Sequence, residues 1–355
     1  MIETQPSSRE AFNARIDERN LAPLWEVARR LAPETPNSVI APYRWRYADV
    51  RPDLIESTRM ITAKEAVRRV LVLENPRLRG QSKITNSMFG GLQIIMPGEV
   101  APPHRHVAAA LRFIIEGNGA YTAVDGERTY MRPGDFVVTP AWTWHDHGHE
   151  GEGPMVWLDG LDMHFVNLCE ASFFETYASE DPIPPERPEL DSRFRFGQNM
   201  VPVEHAHHRP TSPIFSYPYD RSRDVLGAMS AAGPPSPWFG YKTRFINPLT
   251  GKDAIPTIST FMQLVPKGMT TEGYRATDST TFVVVEGHGT TRIGDQTFDW
   301  TPHDVIVVPS WVPYAHQAEG EDAVLFSFSD RGIQELLGFW RDKRENDRRK
   351  RPRGV

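Results

Sequence analysis

Short apolar runs of four or five residues, each closed by glycine, proline or an Asp-Gly pair, dominate the chain from about residue 86 onward. Residues 92–96, 111–115, 120–124, 136–139 and 155–158 follow this pattern, and Asp125-Gly126 is a two-residue hairpin signal. Short antiparallel strands at such spacing predict a closed, jelly-roll double sheet. The pattern returns over residues 256–330. Glu286-Gly287-His288-Gly289 echoes Glu116-Gly117-Asn118-Gly119, and Pro302-His303-Asp304 with Pro309-Ser310-Trp311 echoes Pro133-Gly134-Asp135 with Pro140-Ala141-Trp142. The offset is 169 to 170 residues (302 minus 133; 286 minus 116), which marks an internal duplication. A mainly β chain with barrels at residues 86–175 and 256–330 is the expectation.

Helical spacing is confined to the flanks. Ser8 is placed to cap a first helix carrying Phe12 and Ile16, Asn20 marks a break, and Leu24, Val27 and Leu31 repeat at helical intervals. These residues predict an N-terminal helical arm over 8–32, laid across a sheet or a neighbouring subunit. Residues 33–60 are rich in proline and aromatics and read as an ordered, irregular wrap. A short helix at 62–69, a strand at 70–73 and a turn at Asn75-Pro76 complete the segment 1–85. Residues 176–255 lose strand character and read as an inter-domain connection with a short helix near 224–231. The chain closes, over 331–355, with a helix to about residue 342 and the basic tail ENDRRKRPRGV, read as a solvated terminus.

The candidate chemistry lies between residues 98 and 147. His104 and His106 stand two apart in a predicted strand and so leave one face, Arg112 shares their parity if no bulge intervenes, and His145 comes from a later strand. Three neutral imidazoles on one point suit a first-row divalent metal such as iron, manganese, nickel or zinc, with positions left free for reactants. Gly98, five residues and His104-x-His106, followed by Gly117, resemble the first cupin motif; Gly134, five residues, Pro140 and His145 resemble the second. The glutamate ligand usual in that pattern is absent, with Ala110 or Leu111 in its place, so the site would hold more positive charge and favour an anionic, bidentate substrate. In the second copy the equivalents of His104, His106 and His145 are Tyr274, Ala276 and Tyr314, and the second barrel is expected to be metal-free. His316 answers to His147.

Composition narrows the setting. The 355 residues suffice for two domain-sized cores, and a net charge of −6 argues against nucleic acid, which calls for a basic face. The lone Cys169 excludes an internal disulfide and fits a reducing cytoplasm. No apolar run approaches the roughly 20 residues that span a bilayer, and MIETQPSSREAF lacks a signal-peptide core. A cytoplasmic protein without a membrane partner is expected.

From about residue 20 to 340 the chain resembles the two-cupin ring-cleaving dioxygenases typified by gentisate 1,2-dioxygenase, with salicylate, 5-nitrosalicylate and 1-hydroxy-2-naphthoate 1,2-dioxygenases as relatives. LAPLW at 21–25, RRVLVLENP at 68–76, GGLQIIMPGEVAPPHRH at 90–106, PGDFVVTPAWTWHDHG at 133–148 and WLDGLD at 157–162 carry the likeness. The resemblance implies a bicupin fold, a homotetramer, and Fe(II) on His104, His106 and His145. It implies O2 as co-substrate of a small aromatic 2-hydroxy acid, and gentisate opened to maleylpyruvate between its carboxyl-bearing and hydroxyl-bearing carbons. Arg112 and Arg68 would receive the carboxylate, with Arg69 able to exchange with Arg68, and Gln93 would lie near the ring. His147 would hydrogen-bond or deprotonate the ring hydroxyl, and Asp159 would orient His147 or meet a second ring substituent. Three departures bear on the substrate: Val107-Ala108-Ala109 after the histidine pair, Phe89 where relatives carry tryptophan or tyrosine, and Met163-His164-Phe165-Val166-Asn167. A substituted salicylate is therefore an alternative. A storage or regulatory cupin, and a zinc or manganese isomerase or hydrolase, are the alternatives from other classes.

Overall fold

The computed structural model describes residues 8–347, in two compact units divided between residues 37 and 38. The first contains the two expected helices, Arg9–Asp17 and Leu24–Leu31, with Ser8 Oγ accepting from the Ala11 amide at 3.2 Å and Asn20 in the left-handed region at φ 56°.

The second unit contains both barrels. In the first, a six-stranded sheet runs in the order Ser216–Tyr217, Phe136–Thr139, Ala110–Glu116, Met155–Leu161, Phe89–Ile95, Val70–Val72. A five-stranded sheet faces it: Phe174–Thr176, Val100–His106, His145–His149, Ala120–Val124, Glu127–Tyr130. The second barrel repeats the six-strand order with Tyr43–Trp45, Val305–Val308, Thr280–Ile293, Tyr314–Ser329, Ser259–Val265 and Tyr241–Arg244. Asp125 and Gly126, at φ 47° and 75°, make the expected hairpin turn, which demands positive φ at both positions. One apolar core runs through both barrels: Phe113 stacks on Phe326 at 4.2 Å, and a Cβ on Gly160 would meet the Phe328 ring at 2.9 Å.

Two segments differ from the sequence reading, and for one reason. The supposed wrap is the strand Tyr43–Trp45 followed by a 14-residue helix, Tyr47–Met60, which tolerates Pro52 because it buries Tyr47 and Leu54 in the core. The supposed connection contains the strand Ser216–Tyr217 and another 14-residue helix, Tyr219–Ala232. These are copies of one element, exchanged between barrels. Tyr43–Trp45 pairs with Val305–Val308 of the second barrel, and Ser216–Tyr217 with Phe136–Thr139 of the first. Asp304 accepts the Tyr47 amide at 2.8 Å and Asp135 the Tyr219 amide at 2.9 Å, a carboxylate at each helix N-terminus. Arg51 then reaches Glu116 in the first barrel, and Arg223 reaches Glu286 in the second. At the other end the expected long helix is short, Arg331–Leu336; the chain turns at Gly338, φ 77°, and adds the strand Asp342–Arg344 beside Tyr274–Ala276. The basic tail beyond residue 347 lies outside the described residues.

Candidate active site

The histidine-pair strand Val100–His106 is held from both sides. His145–His149 pairs with it so that His104 faces His145, and Phe174–Thr176 pairs with its other edge. The ligand nitrogens of His104, His106 and His145 lie within 4.8 Å of one another. His106 Nδ1 donates to the Ala108 carbonyl at 2.7 Å and His145 Nδ1 to the Thr143 carbonyl at 2.9 Å. A carbonyl only accepts, so these contacts place the proton on Nδ1 and the lone pair on Nε2. His145 Nε2, the nitrogen left with the lone pair, is buried without a hydrogen-bond partner, as expected of a metal-ligating nitrogen. Burial, then the Arg68 charge, lowers the pKa of His104 to about 2, and burial lowers that of His106 to about 4. The imidazoles are neutral, the ligand form. The donor set therefore fits a divalent metal ion. Among the described residues no carboxylate joins it, and Ala110, one of the two residues at the position of the usual glutamate, lines the wall.

The triad opens on a cavity of about 450 Å³. Arg112 reaches it from the opposite sheet: the chain leaves the histidine strand at Val107 and re-enters at Ala110, so strand parity does not govern its direction. The guanidinium is buried, donates from Nη1 to Thr139 Oγ1, and lies with Nε 3.4 Å from Asp159 Oδ1. Arg68 also lines the cavity, donating from Nη1 to the Val67 and Pro102 carbonyls at 2.8 and 3.1 Å and leaving Nη2 unpartnered. Burial, then the Arg112 charge, lowers its pKa to about 9. Two mutually repelling guanidiniums with unspent donors beside neutral imidazoles make a receptor for a carboxylate. Arg69 takes no part: it is locked onto Glu99 and the Ile61 carbonyl. Arg68 owes its direction to Val67, a β-branched residue at φ 57°, whose tight turn closes with the Arg68 amide on the Ala66 carbonyl.

Gln93, Phe89 and Asp159 line the same cavity. Asp159 accepts from Trp157 Nε1 at 3.1 Å rather than from His147, and burial raises its pKa to about 6. His147 is not on the cavity wall. It lies fully buried behind His145, with Nδ1 3.0 Å from Thr122 Oγ1. Ala108, Phe89 and Met163, the three departures noted in the sequence, all face the cavity. Sequence reasoning missed Val67, Val70 and the returning segment Ser172-Phe173-Phe174, whose last ring sits 5.0 Å from that of His104. An aromatic pair just before a short strand was the available signal.

Comparison with known proteins agrees with this geometry. The cupin domain model matches residues 91–161 and 260–329. Gentisate 1,2 dioxygenase 1 of Aquipseudomonas alcaligenes is 52% identical over 336 residues, 95% of this chain and 96% of that protein. The chain belongs to the gentisate 1,2-dioxygenase family. Within that family of ring-cleaving bicupin dioxygenases, 5-aminosalicylate 1,2-dioxygenase of Comamonas sp is 35% identical over 94% of this chain and 90% of its own length. Salicylate 1,2-dioxygenase of Pseudoaminobacter salicylatoxidans, solved with gentisate, superposes with a TM-score of 0.90 at 31% identity, covering 97% of each chain. The bicupin dioxygenase fold of the family thus extends over almost the whole of this chain.

Proposed function

We propose that this dioxygenase opens gentisate between its carboxyl-bearing and hydroxyl-bearing carbons, with Fe(II) on His104, His106 and His145. The observation that carries the reading is the cavity itself, in which three neutral imidazoles face two arginines with unspent donors. The 52% identity to a gentisate 1,2 dioxygenase supports gentisate over the other acids. Held by His104, His106 and His145, the iron would supply open coordination positions for the acid and O2 and would carry electrons between them. The chain supplies the rest. Arg112 and Arg68 receive the carboxylate, and Thr139 and Asp159 fix Arg112 for that task. Phe89, Ala108, Ala110, Leu161 and Phe174 exclude water from the ring. Asp159 and Gln93 are the polar groups left for the second ring hydroxyl. Both oxygen atoms end in the ring-opened acid, so no external reductant is needed.

The apolar wall at Ala108, Phe89 and Met163 favours a second reading, a substituted salicylate such as 5-nitrosalicylate, salicylate or 1-hydroxy-2-naphthoate. Oxygen uptake by Fe(II)-loaded protein with each acid, followed by ultraviolet absorbance of the products, separates them. Uptake fastest with gentisate is expected; uptake with salicylates alone moves the substrate, and uptake with none overturns the reading. We infer further a cytoplasmic homo-oligomer. Leu24, Trp25 and Leu31, each more than 60% exposed on one helix, offer the apolar surface for self-association. The described residues include no helix long and apolar enough to cross a membrane.

A further inference from the structure

The second barrel has a cavity built in part on strand positions equivalent to those of the catalytic one. Val70 faces Gln93 across its strand pair and Lys242 faces Gln263; Arg112 faces Asp159 and Phe282 faces Ser327. On that correspondence, Val70 becomes Lys242 and His104 and His145 become Tyr274 and Tyr314, all lining their respective cavities. At about 200 Å³ the second is less than half the first, yet it has room for on the order of six water volumes.

Lys242 is the unusual group there. Its ammonium lies 4.7 Å from the centre of the Phe261 ring and 5.5 Å from those of Phe239 and Phe282. Among the described residues it has no hydrogen bond and no salt bridge. The neighbouring cations already hold carboxylates: Arg244 has Glu335 and Asp253, Arg331 has Glu335, and Arg344 has Asp342. Asp278, the acid on the cavity wall, accepts from Trp340 Nε1 at 2.8 Å and Thr280 Oγ1 at 3.2 Å. The cavity thus contains an amine that forms no ion pair, walled by aromatic faces, and Asp278, already hydrogen-bonded to Trp340 and Thr280, is the carboxylate whose charge reaches it. Burial keeps the hydroxyls of Tyr274 and Tyr314 protonated, so both remain donors.

We propose that the metal-free barrel is a second binding site, in which Lys242 receives the carboxylate of a small single-ring aromatic acid lying against Phe239 and Phe261. An ammonium needs an anion, and the rings around it favour a flat, apolar body. The site rests on none of the chemistry assigned to the first barrel.

Burial, and after it the Arg331 charge, lowers the Lys242 pKa to about 7, so at pH 8 the amine is mostly neutral and pairing with a carboxylate draws a proton onto it. Arg244, Arg331, Arg344 and Asp278 are the other charged groups that face the cavity. Tyr274, Tyr314 and the buried His316 stay neutral. The test uses the full chain and 4-bromobenzoate, which lacks the ortho hydroxyl needed for chelation. Bromine is located by anomalous diffraction from soaked crystals, and binding is titrated calorimetrically at pH 8 in buffers of different ionisation enthalpy. A bromine peak in the second cavity is expected, with uptake approaching one proton per bound acid. Lys242→Met, which keeps the stem, should lose both, and Phe261→Leu, which keeps the amine, should weaken binding while retaining the proton uptake. Absence of bromine from the second cavity, or a peak that persists in Lys242→Met, overturns the proposal.

Discussion

In the first barrel the Trp142 amide donates to the His106 carbonyl at 2.8 Å, and in the second the Trp311 amide donates to the Ala276 carbonyl at 2.7 Å. Both tryptophans sit in the left-handed region, at φ 58° and 63°. The backbone device that presents a ligand in one barrel is present without that ligand in the other. Behind it, His147 meets Thr122 at 3.0 Å and His316 meets Thr291 at 2.8 Å. The same pair stands in both barrels, although His104, His106 and His145 give way to Tyr274, Ala276 and Tyr314 in the second, which supports a scaffold part for His147. What separates the two barrels at the ligand positions is the side chains, histidines in one and Tyr274, Ala276 and Tyr314 in the other. Folding and chemistry are therefore specified by almost disjoint sets of residues.

Breaking that division should cost most at the unshared positions. His106→Ala is expected to abolish bound metal and lower turnover by roughly three orders of magnitude or more, with the circular dichroism spectrum unchanged. Metal analysis beside oxygen uptake checks it, and an iron-replete, active variant would refute the assignment. Next come two adjacent contrasts. Arg112→Leu should lower kcat/KM about a hundredfold, or about 2.7 kcal/mol, since it removes the carboxylate receptor. Arg69→Leu should spare catalysis but reduce unfolding stability by about 2–4 kcal/mol, because Glu99 loses its buried partner. Denaturant titration with steady-state kinetics tells them apart, and equal kinetic losses would erase the distinction. The smallest effect is expected at the shared pair: His147→Gln and His316→Gln should lower Tm by a similar few degrees, with His147→Gln costing less than about tenfold in kcat. A kcat loss as deep as that of His106→Ala would return His147 to the reaction.

The barrels and the metal triad were legible because strand alternation, turn glycines and ligand spacing are local. Gly98, His104, His106 and His145 could be placed from spacing alone. Arg112 reached the site for a reason that parity does not supply, since it arrives from the facing sheet, and only closure of the barrel decides that. The exchanged strand and helix were hidden by their prolines, Pro42 and Pro52 in one copy and Pro218 in the other. Their mark was faint but present: Tyr47 with Arg51 recurs as Tyr219 with Arg223, an offset of 172 (219 minus 47). Arg68 and Arg69 could not be told apart on the page, because the strained turn at Val67 chooses between them.

The exchange of edge strands also dictates an order of events at the ribosome. Tyr43–Trp45 is made first, but its partner begins at Val305, 260 residues later (305 minus 45). At 5–20 residues per second that is a wait of roughly 13 to 52 seconds, during which the helix that follows cannot dock Asp304. The last edge strand of the first barrel is complete much earlier, at Tyr217, although the core face that meets Phe326 and Phe328 still lacks its partner. A polysome stalled between residues 217 and 305 would therefore display every strand of the first barrel, with its oldest strand unpaired and the core face that meets Phe326 still uncovered.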